Sequence, residues 1–233
     1  AKLSFYNTFV NGGFDIGAFS KALNSGKVGK KFVLLNFPNN PTGYTPTEVE
    51  AKALTAEIRK AAEAGNQVVV VLDDAYFGLV YEEGIARESL FGSLVDLHPN
   101  ILGVKLDGAT KEDYVWGFRV GFITFGFKGA NAAQLKALEN KAAGIVRGNI
   151  SNAPCVSQSM LLKAYTAPEY AAQKKQKYEI LAERVAKIRE TLKAHPEYAQ
   201  SFDVMPFNSG YFMCVKPIGV DCEALRKELI ANY

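Results

Sequence analysis

Apolar and polar positions along the chain fall into short blocks that switch between strand-like and helix-like spacing. Phe32–Phe37 reads as a short buried strand. The stretch NFPNNPTG, Asn36–Gly43, follows it as an Asn/Pro/Gly turn. A helix start comes next, with Thr45 as N-cap, Pro46 at the first helical position and Glu48 completing a capping box. Val49, Ala53, Leu54, Ile58, Ala61 and Ala62 supply its apolar face, and Gly65 its stop. Val68–Leu72 is continuous apolar, mostly β-branched sequence, which predicts a strand covered on both faces, and Asp73 follows at once.

The alternation continues. Ser89–Leu97 reads as a helix, Ile101–Leu106 as a strand ending at Asp107, and Arg119–Phe125 as a further strand after a loop. Strands alternating with helices predict an α/β domain with a mainly parallel sheet flanked by helices. Helical spacing then runs over Ala130–Val146 and from about Pro154 to Ala194, with a break near Pro168. The later helix has the length to bridge two lobes. Asn208-Ser209-Gly210 introduces a strand over Tyr211–Val215, and a helix over Asp221–Asn232 closes the chain. Residues 1–200 are therefore expected to form one large domain, incomplete on its N-terminal side. Residues 201–233 are expected to begin a smaller α+β domain that a single strand and helix cannot complete.

Composition narrows the function class. A formal net charge of +3 over 233 residues gives no argument for nucleic acid. The basic cluster Lys174-Lys175-Gln176-Lys177 reads as a solvated helix face. No apolar stretch approaches the roughly 20 residues that span a bilayer. Cys155, Cys214 and Cys222 are odd in number and lack C-x-x-C spacing, against a disulfide framework or a zinc site. Reduced thiols and a cytoplasmic location are the expectation. His98 and His195 each stand beside a proline in loop sequence, so neither is a candidate ligand or catalyst.

In parallel sheets, ligands sit beyond the carboxyl ends of the strands. The polar residues just after each strand are Asn39 and Asn40, then Asp73–Tyr76, then Asp107–Lys111. Each cluster alone also reads as a turn or a satisfied strand end, and Arg119 as a structural arginine. Together they make chemical sense as a set. A lysine amine condenses with an aldehyde, a carboxylate pairs with a protonated pyridine nitrogen, an arginine clamps a phosphate, and a tyrosine hydroxyl and an Asn amide bond a phenolate oxygen. Pyridoxal 5'-phosphate requires those groups.

The ordered motifs Asn40-Pro41-Thr42-Gly43, Asp73-x-x-Tyr76 and Lys111-x5-Gly117-x-Arg119-x-Gly121 resemble the class I/II aminotransferases, fold type I enzymes that use pyridoxal phosphate. The resemblance covers nearly the whole chain. It implies that Lys111 is the Schiff-base lysine and moves the substrate α-proton. It implies that Asp73 partners the pyridine nitrogen, Tyr76 and Asn40 bond the ring oxygen, and Arg119 binds phosphate. Arg147, ahead of Ser151-Asn152 and Pro154, resembles an arginine that in aspartate-type members receives the distal carboxylate of a substrate in the neighbouring subunit; a structural or surface arginine is the other reading. The substrates implied are an amino acid and a 2-oxo acid, with a homodimer in the full-length parent. Phe77, Tyr114 and Trp116 stand near the motifs as candidates for a pocket that takes a larger side chain.

The chain also departs from that pattern. Where the family has Ser or Thr three residues before the lysine, this sequence has Gly108. Thr110 is the substitute hydroxyl, or Gly108 frees backbone N–H groups for the phosphate. The family's N-terminal phosphate loop and its ring-stacking aromatic have no counterpart here. The α-carboxylate arginine has none either, because Arg226 falls too early to match it. A fragment without them is expected to transaminate poorly. A lyase or synthase on the same scaffold, a non-catalytic aminotransferase-like binding domain and a purely structural core are the alternatives.

Overall fold

The computed structural model describes residues 3–233. A hairpin opens the fold, with β1 (Phe9–Val10) antiparallel to β2 (Gly13–Phe14) across an Asn11-Gly12 turn in which both residues have positive φ. Helix α1 (Ile16–Leu23) follows, and the Asp15 carboxylate accepts its Ala18 N–H at 2.7 Å.

The central sheet contains β3 (Lys30–Asn36), β4 (Gln67–Asp73), β5 (Ile101–Asp107) and β6 (Phe122–Gly126), in that order. The first three strands are parallel and β6 runs antiparallel to β5. The register sets Asn36 beside Asp73, Asp73 beside Leu106, and Asp107 beside Phe122. The loops after β3, β4 and β5 therefore emerge next to one another.

Between β3 and β4 lies α2 (Glu48–Glu63), whose Leu54, Ile58, Ala61 and Ala62 are buried against Leu35, Val68, Val70 and Leu72. Its N-cap is Thr47 rather than Thr45, and Glu50 rather than Glu48 completes the capping box. The reason lies in tertiary structure. The Thr45 hydroxyl is 2.8 Å from the Ser209 hydroxyl, and the Thr45 N–H donates to Asn208 Oδ1 at 2.9 Å. The helix ends as its sequence predicts, with Gly65 N–H donating to Ala62 and Asn66 N–H to Ala61.

Coverage of β4 departs from expectation. Val68, Val70 and Leu72 are fully buried under α2, whereas Val69 and Val71 are only half-buried. On the same second face, Phe32 and Leu34 of β3 are 72% and 66% exposed. The helices of the described residues cover one side of the sheet and leave much of the other open.

After β4, α3 (Leu90–Leu94) is shorter than the predicted helix and is capped by the Ser89 hydroxyl. A single turn, α4 (Ala109–Glu112), follows β5. Strand β6 begins three residues later than predicted, and Arg119, at φ of 54°, has a left-handed conformation outside the regular strand range. Then come α5 (Ala132–Ile150), α6 (Cys155–Tyr165) and α7 (Tyr170–Ala194), the last two separated around Pro168. One turn of 3-10 helix (Pro196–Gln200) leads to β7 (Phe202–Val204), which pairs antiparallel with β8 (Val215–Pro217), and α8 (Cys222–Asn232) ends the chain. The strand predicted over Tyr211–Val215 is a loop as far as Cys214, turned inward for contacts described below. Among the described residues, no helix is long and apolar enough to cross a membrane.

Candidate active site

The turn after β3 is over-determined. Asn36 Oδ1 accepts the Asn40 N–H at 2.7 Å, and Asn39 Oδ1 accepts the Thr42 hydroxyl at 2.7 Å and its N–H at 3.2 Å. The peptides preceding Pro38 and Pro41 are cis. Gly43 has φ of 73°, and a Cβ there would lie 2.0 Å from the Phe212 carbonyl oxygen, so only glycine fits. The Gly43 carbonyl in turn accepts the N–H groups of Asn208 and Ser209 at 2.8 and 2.9 Å. The Asn40 side chain thus stands on a turn fixed from both sides.

At the end of β4, the Asp73 carboxylate accepts the Ala75 N–H at 3.2 Å, which caps the turn that presents Tyr76. Tyr76 is 5% exposed, and Asn40 Nδ2 donates to its hydroxyl oxygen at 3.4 Å. Burial pushes the Tyr76 hydroxyl above its ordinary pKa, the nearby Asp73 charge adds to this, and the Asn40 bond offsets part of it. At neutral pH Tyr76 is therefore a hydrogen-bond donor. Edge-on contacts with Tyr211 and Phe212, at 5.5 and 5.6 Å between ring centres, hold its ring.

After β5, α4 carries Lys111, whose ammonium lies 5.5 Å from the centre of the Tyr76 ring. The structure thus brings Asn40, Asp73, Tyr76 and Lys111 together at the carboxyl edge of the sheet. Thr110 sits half-buried in the same turn. Arg119 lies on the loop between α4 and β6 in its left-handed conformation, which is sparsely populated for a large side chain and is characteristic of sites where surroundings impose it. Arg147 is exposed near the end of α5 and donates to the Ser151 hydroxyl at 2.9 Å. No hydrogen bond, ion pair or ring contact among the described residues ties it to the Lys111 group. Phe77 lies under the Lys105 ammonium, and Tyr114 meets Trp116 edge-on, with Trp116 55% exposed.

Gly108 has a structural cause. Its φ is extended, so backbone freedom is not at issue. A Cβ at this position would lie 2.5 Å from the Val120 carbonyl oxygen and 2.8 Å from the Gly121 Cα. The backbone of the Arg119–Gly121 loop occupies the space that a Ser or Thr side chain would need, so two backbone segments pack closely here.

Three residues that the sequence left without a role hold the segments that carry the site. The Tyr211 hydroxyl, kept protonated by burial and the neighbouring Tyr114 and Tyr76, donates to the Lys111 carbonyl at 2.9 Å. Asn208 brackets Thr45 with two bonds of 2.9 Å. Asp113 is a buried carboxylate just beyond α4. The Asn-Ser-Gly-Tyr-Phe run signals a tight turn, but its partners lie 100 to 166 residues away. Among the described residues, no group of three or more His, Cys, Asp or Glu side chains is placed to hold a metal ion. A cavity of about 420 Å³ lies at the opposite, amino-terminal end of β4 and β5, against α5, and touches none of these residues.

The donor set matches the chemistry of pyridoxal phosphate. A primary amine, a carboxylate, and hydroxyl and amide donors 3.4 Å apart meet at one edge. Comparisons with known proteins agree in kind. Aspartate aminotransferase of Geobacillus stearothermophilus is 29% identical over 141 residues, 60% of this chain and 31% of that protein. The probable N-acetyl-LL-diaminopimelate aminotransferase of Bacillus subtilis is 30% identical over 136 residues, 58% of this chain and 29% of that protein. An aminotransferase structure from Anaerococcus prevotii superimposes with a TM-score of 0.72 at 20% identity, over 89% of this chain and 51% of that one. The chain thus spans about half the length of that solved relative. The family profile described as aminotransferase class I and II matches residues 1–233, and the chain belongs to that family.

Proposed function

We propose that the protein of which this chain forms part is a pyridoxal-phosphate-dependent aminotransferase that moves an amino group between an amino acid and a 2-oxo acid, with Lys111 as its reactive amine. The observation that carries this reading is the convergence of Lys111, Tyr76 and Asn40 from the ends of three adjacent strands. When bound, pyridoxal phosphate supplies an aldehyde that amines attack and a ring that takes up the electron pair left on the substrate α-carbon. The residues of the chain do the rest. Lys111 would offer its Nζ to the aldehyde and would serve as general base and acid for the substrate α-proton. Asp73 would accept a hydrogen bond from the ring nitrogen and favour its protonated form. Tyr76 and Asn40 donate to the ring oxygen. Arg119 pairs with the phosphate, and Thr110 adds a hydroxyl from the same turn as Lys111.

Within this reading, residues 1–200 form the cofactor-binding domain and residues 201–233 begin the second. The aspartate-aminotransferase relatives favour an acidic substrate. Arg147 is exposed with a single short-range bond, which suits a role in the partner subunit's site of a homodimer. The single-turnover half-reaction tests the function, because it needs no second substrate. The whole protein of which this chain forms part, loaded with pyridoxal phosphate, is mixed with L-aspartate or L-alanine and quenched in acid. Pyridoxamine phosphate formed with one equivalent of 2-oxo acid is the expected result. Ammonia released with pyridoxal phosphate unchanged would move the assignment to elimination chemistry.

A further inference from the structure

The turn that carries Lys111 has little stability of its own. Helix α4 is four residues long, and a single turn fixes several dihedrals for very few hydrogen bonds. Its position must come from tertiary contacts. One is the small apolar cluster of Ala109, Val120 and Leu161, flanked by Val115 and Phe118. Another is the Tyr211 bond to the Lys111 carbonyl. The third is ionic and has no part in the chemistry above. The Asp113 side chain is 4% exposed and is held from two other helices. Its Oδ2 accepts the Tyr165 hydroxyl of α6 at 2.6 Å. Its Oδ1 accepts the Tyr170 hydroxyl and, at 3.1 Å, the Lys174 ammonium, both from α7. Lys174 also bonds Glu112, the last residue of α4, at 3.0 Å. Lys174 is thus withdrawn from the solvated face that its basic run predicts, while Lys175 and Lys177 remain exposed.

We propose that Asp113 is a positioning residue, whose buried carboxylate, clamped by Tyr165, Tyr170 and Lys174, fixes the Lys111 turn to α6 and α7 and so sets where the Lys111 amine stands against Tyr76 and Asn40. The clamp joins two other ties on the turn, the Tyr211 bond and the Leu161 cluster. Its parts are mutually suited. Burial alone would push the Lys174 ammonium towards deprotonation, but the charges and hydrogen bonds of Glu112 and Asp113 reverse that. Burial and the Asp113 carboxylate both push the Tyr165 hydroxyl up, so it stays a donor at neutral pH. Taking away the charge of Asp113 leaves Lys174 with a weaker partner and the turn with fewer ties. The proposal rests on reading Lys111 as the amine that meets pyridoxal phosphate.

Its test uses Asp113→Asn, Lys174→Met and Lys174→Arg in the full 233-residue chain. Amide hydrogen exchange without ligand is read over residues 108–118, with residues 48–63 of α2 as the folding control. Borohydride trapping with pyridoxal phosphate then gives the labelling rate at Lys111 relative to exposed Lys60. Asp113→Asn and Lys174→Met are expected to speed exchange over 108–118 and slow Lys111 labelling, each by about tenfold, a loss on the scale of one charge-assisted hydrogen bond. Residues 48–63 and Lys60 should not change. Lys174→Arg, which keeps charge and donors, should lie close to wild type. Unchanged Lys111 labelling in Asp113→Asn, beside selective labelling in the wild type, would overturn the positioning role alone. Wild-type labelling of Lys111 no faster than that of Lys60 would overturn the reading of the site and the role of Asp113 with it.

Discussion

Replacing Gly108 by Ser restores the residue type that the resembled family places three before its lysine, and it is expected to do harm. The new Cβ would stand 2.5 Å from the Val120 carbonyl oxygen and 2.8 Å from the Gly121 Cα. Both are backbone atoms, and favourable carbon contacts begin near 3.5 Å. Relief needs a shift of roughly 1 Å in either the Lys111 turn or the Arg119 loop, and such overpacking costs about 1–3 kcal/mol. In a chain of this size, that lowers the melting midpoint by about 2–12 °C. The same shift parts Lys111 from Arg119, so affinity for pyridoxal phosphate should fall by about fivefold or more. Thermal unfolding followed by circular dichroism reads the first effect, and a fluorescence titration with the cofactor reads the second. An unchanged midpoint with tighter cofactor binding would refute the reasoning, because the space at position 108 would then be open to a hydroxyl.

Asn208→Ala removes both bonds to buried Thr45 and leaves its N–H and C=O unpaired; unfolding in urea should show a loss of about 2–4 kcal/mol. Glu50 has a pH signature. Burial alone would push its carboxyl up, but the bonds from the Thr47 and Phe14 N–H groups and the Tyr44 and Thr47 hydroxyls bring it below its ordinary value. Its stabilisation is therefore complete above the unfolded pKa of about 4.3 and is lost as pH falls through the lower folded value, so the melting difference between wild type and Glu50→Gln should be full at pH 7 and shrink below about pH 4. Leu35→Asn, at 2% exposure beneath α2, should cost about 2–5 kcal/mol, whereas Leu34→Asn, 66% exposed on the open face, should change stability by less than about 0.5 kcal/mol; comparable losses would mean that the second face is covered in solution.

Much of the sheet was legible because its strands carry a local signal. Phe32–Phe37, Val68–Leu72 and Ile101–Leu106 are mainly apolar runs; the last two lie within observed strands, and the first overruns the end of β3 at Asn36 by one residue. Since parallel strands in matched register end together, the residues after them could be foreseen as neighbours, and Asn40, Asp73, Tyr76 and Lys111 do meet. Sequence periodicity fails where a long-range partner decides. Thr45 is a good cap by type, but Ser209 takes its hydroxyl and the helix starts two residues later. Tyr211–Val215 is an apolar run that reads as a strand, but Tyr211 turns to Lys111 and Cys214 to the Pro41 carbonyl. Lys174 sits in a basic run, yet Glu112 and Asp113 draw it inward. The close packing that excludes a side chain at Gly108 comes from Val120 and Gly121, which sequence spacing does not show as its neighbours. The β1–β2 hairpin carried its signal openly in Asn11-Gly12, but its two-residue strands are too short to show a period.

The central claim is that Lys111 is the amine of a pyridoxal-phosphate site built on three strand ends. Pyridoxal phosphate titrated against the wild-type chain, Lys111→Ala and Tyr76→Phe, followed by absorbance and by peptide mapping after borohydride reduction, tests it most directly. A saturable band with label on Lys111 is predicted for wild type, with the band weakened in Tyr76→Phe and abolished in Lys111→Ala. A band of equal strength in wild type and Lys111→Ala, with label spread over surface lysines, would contradict the account.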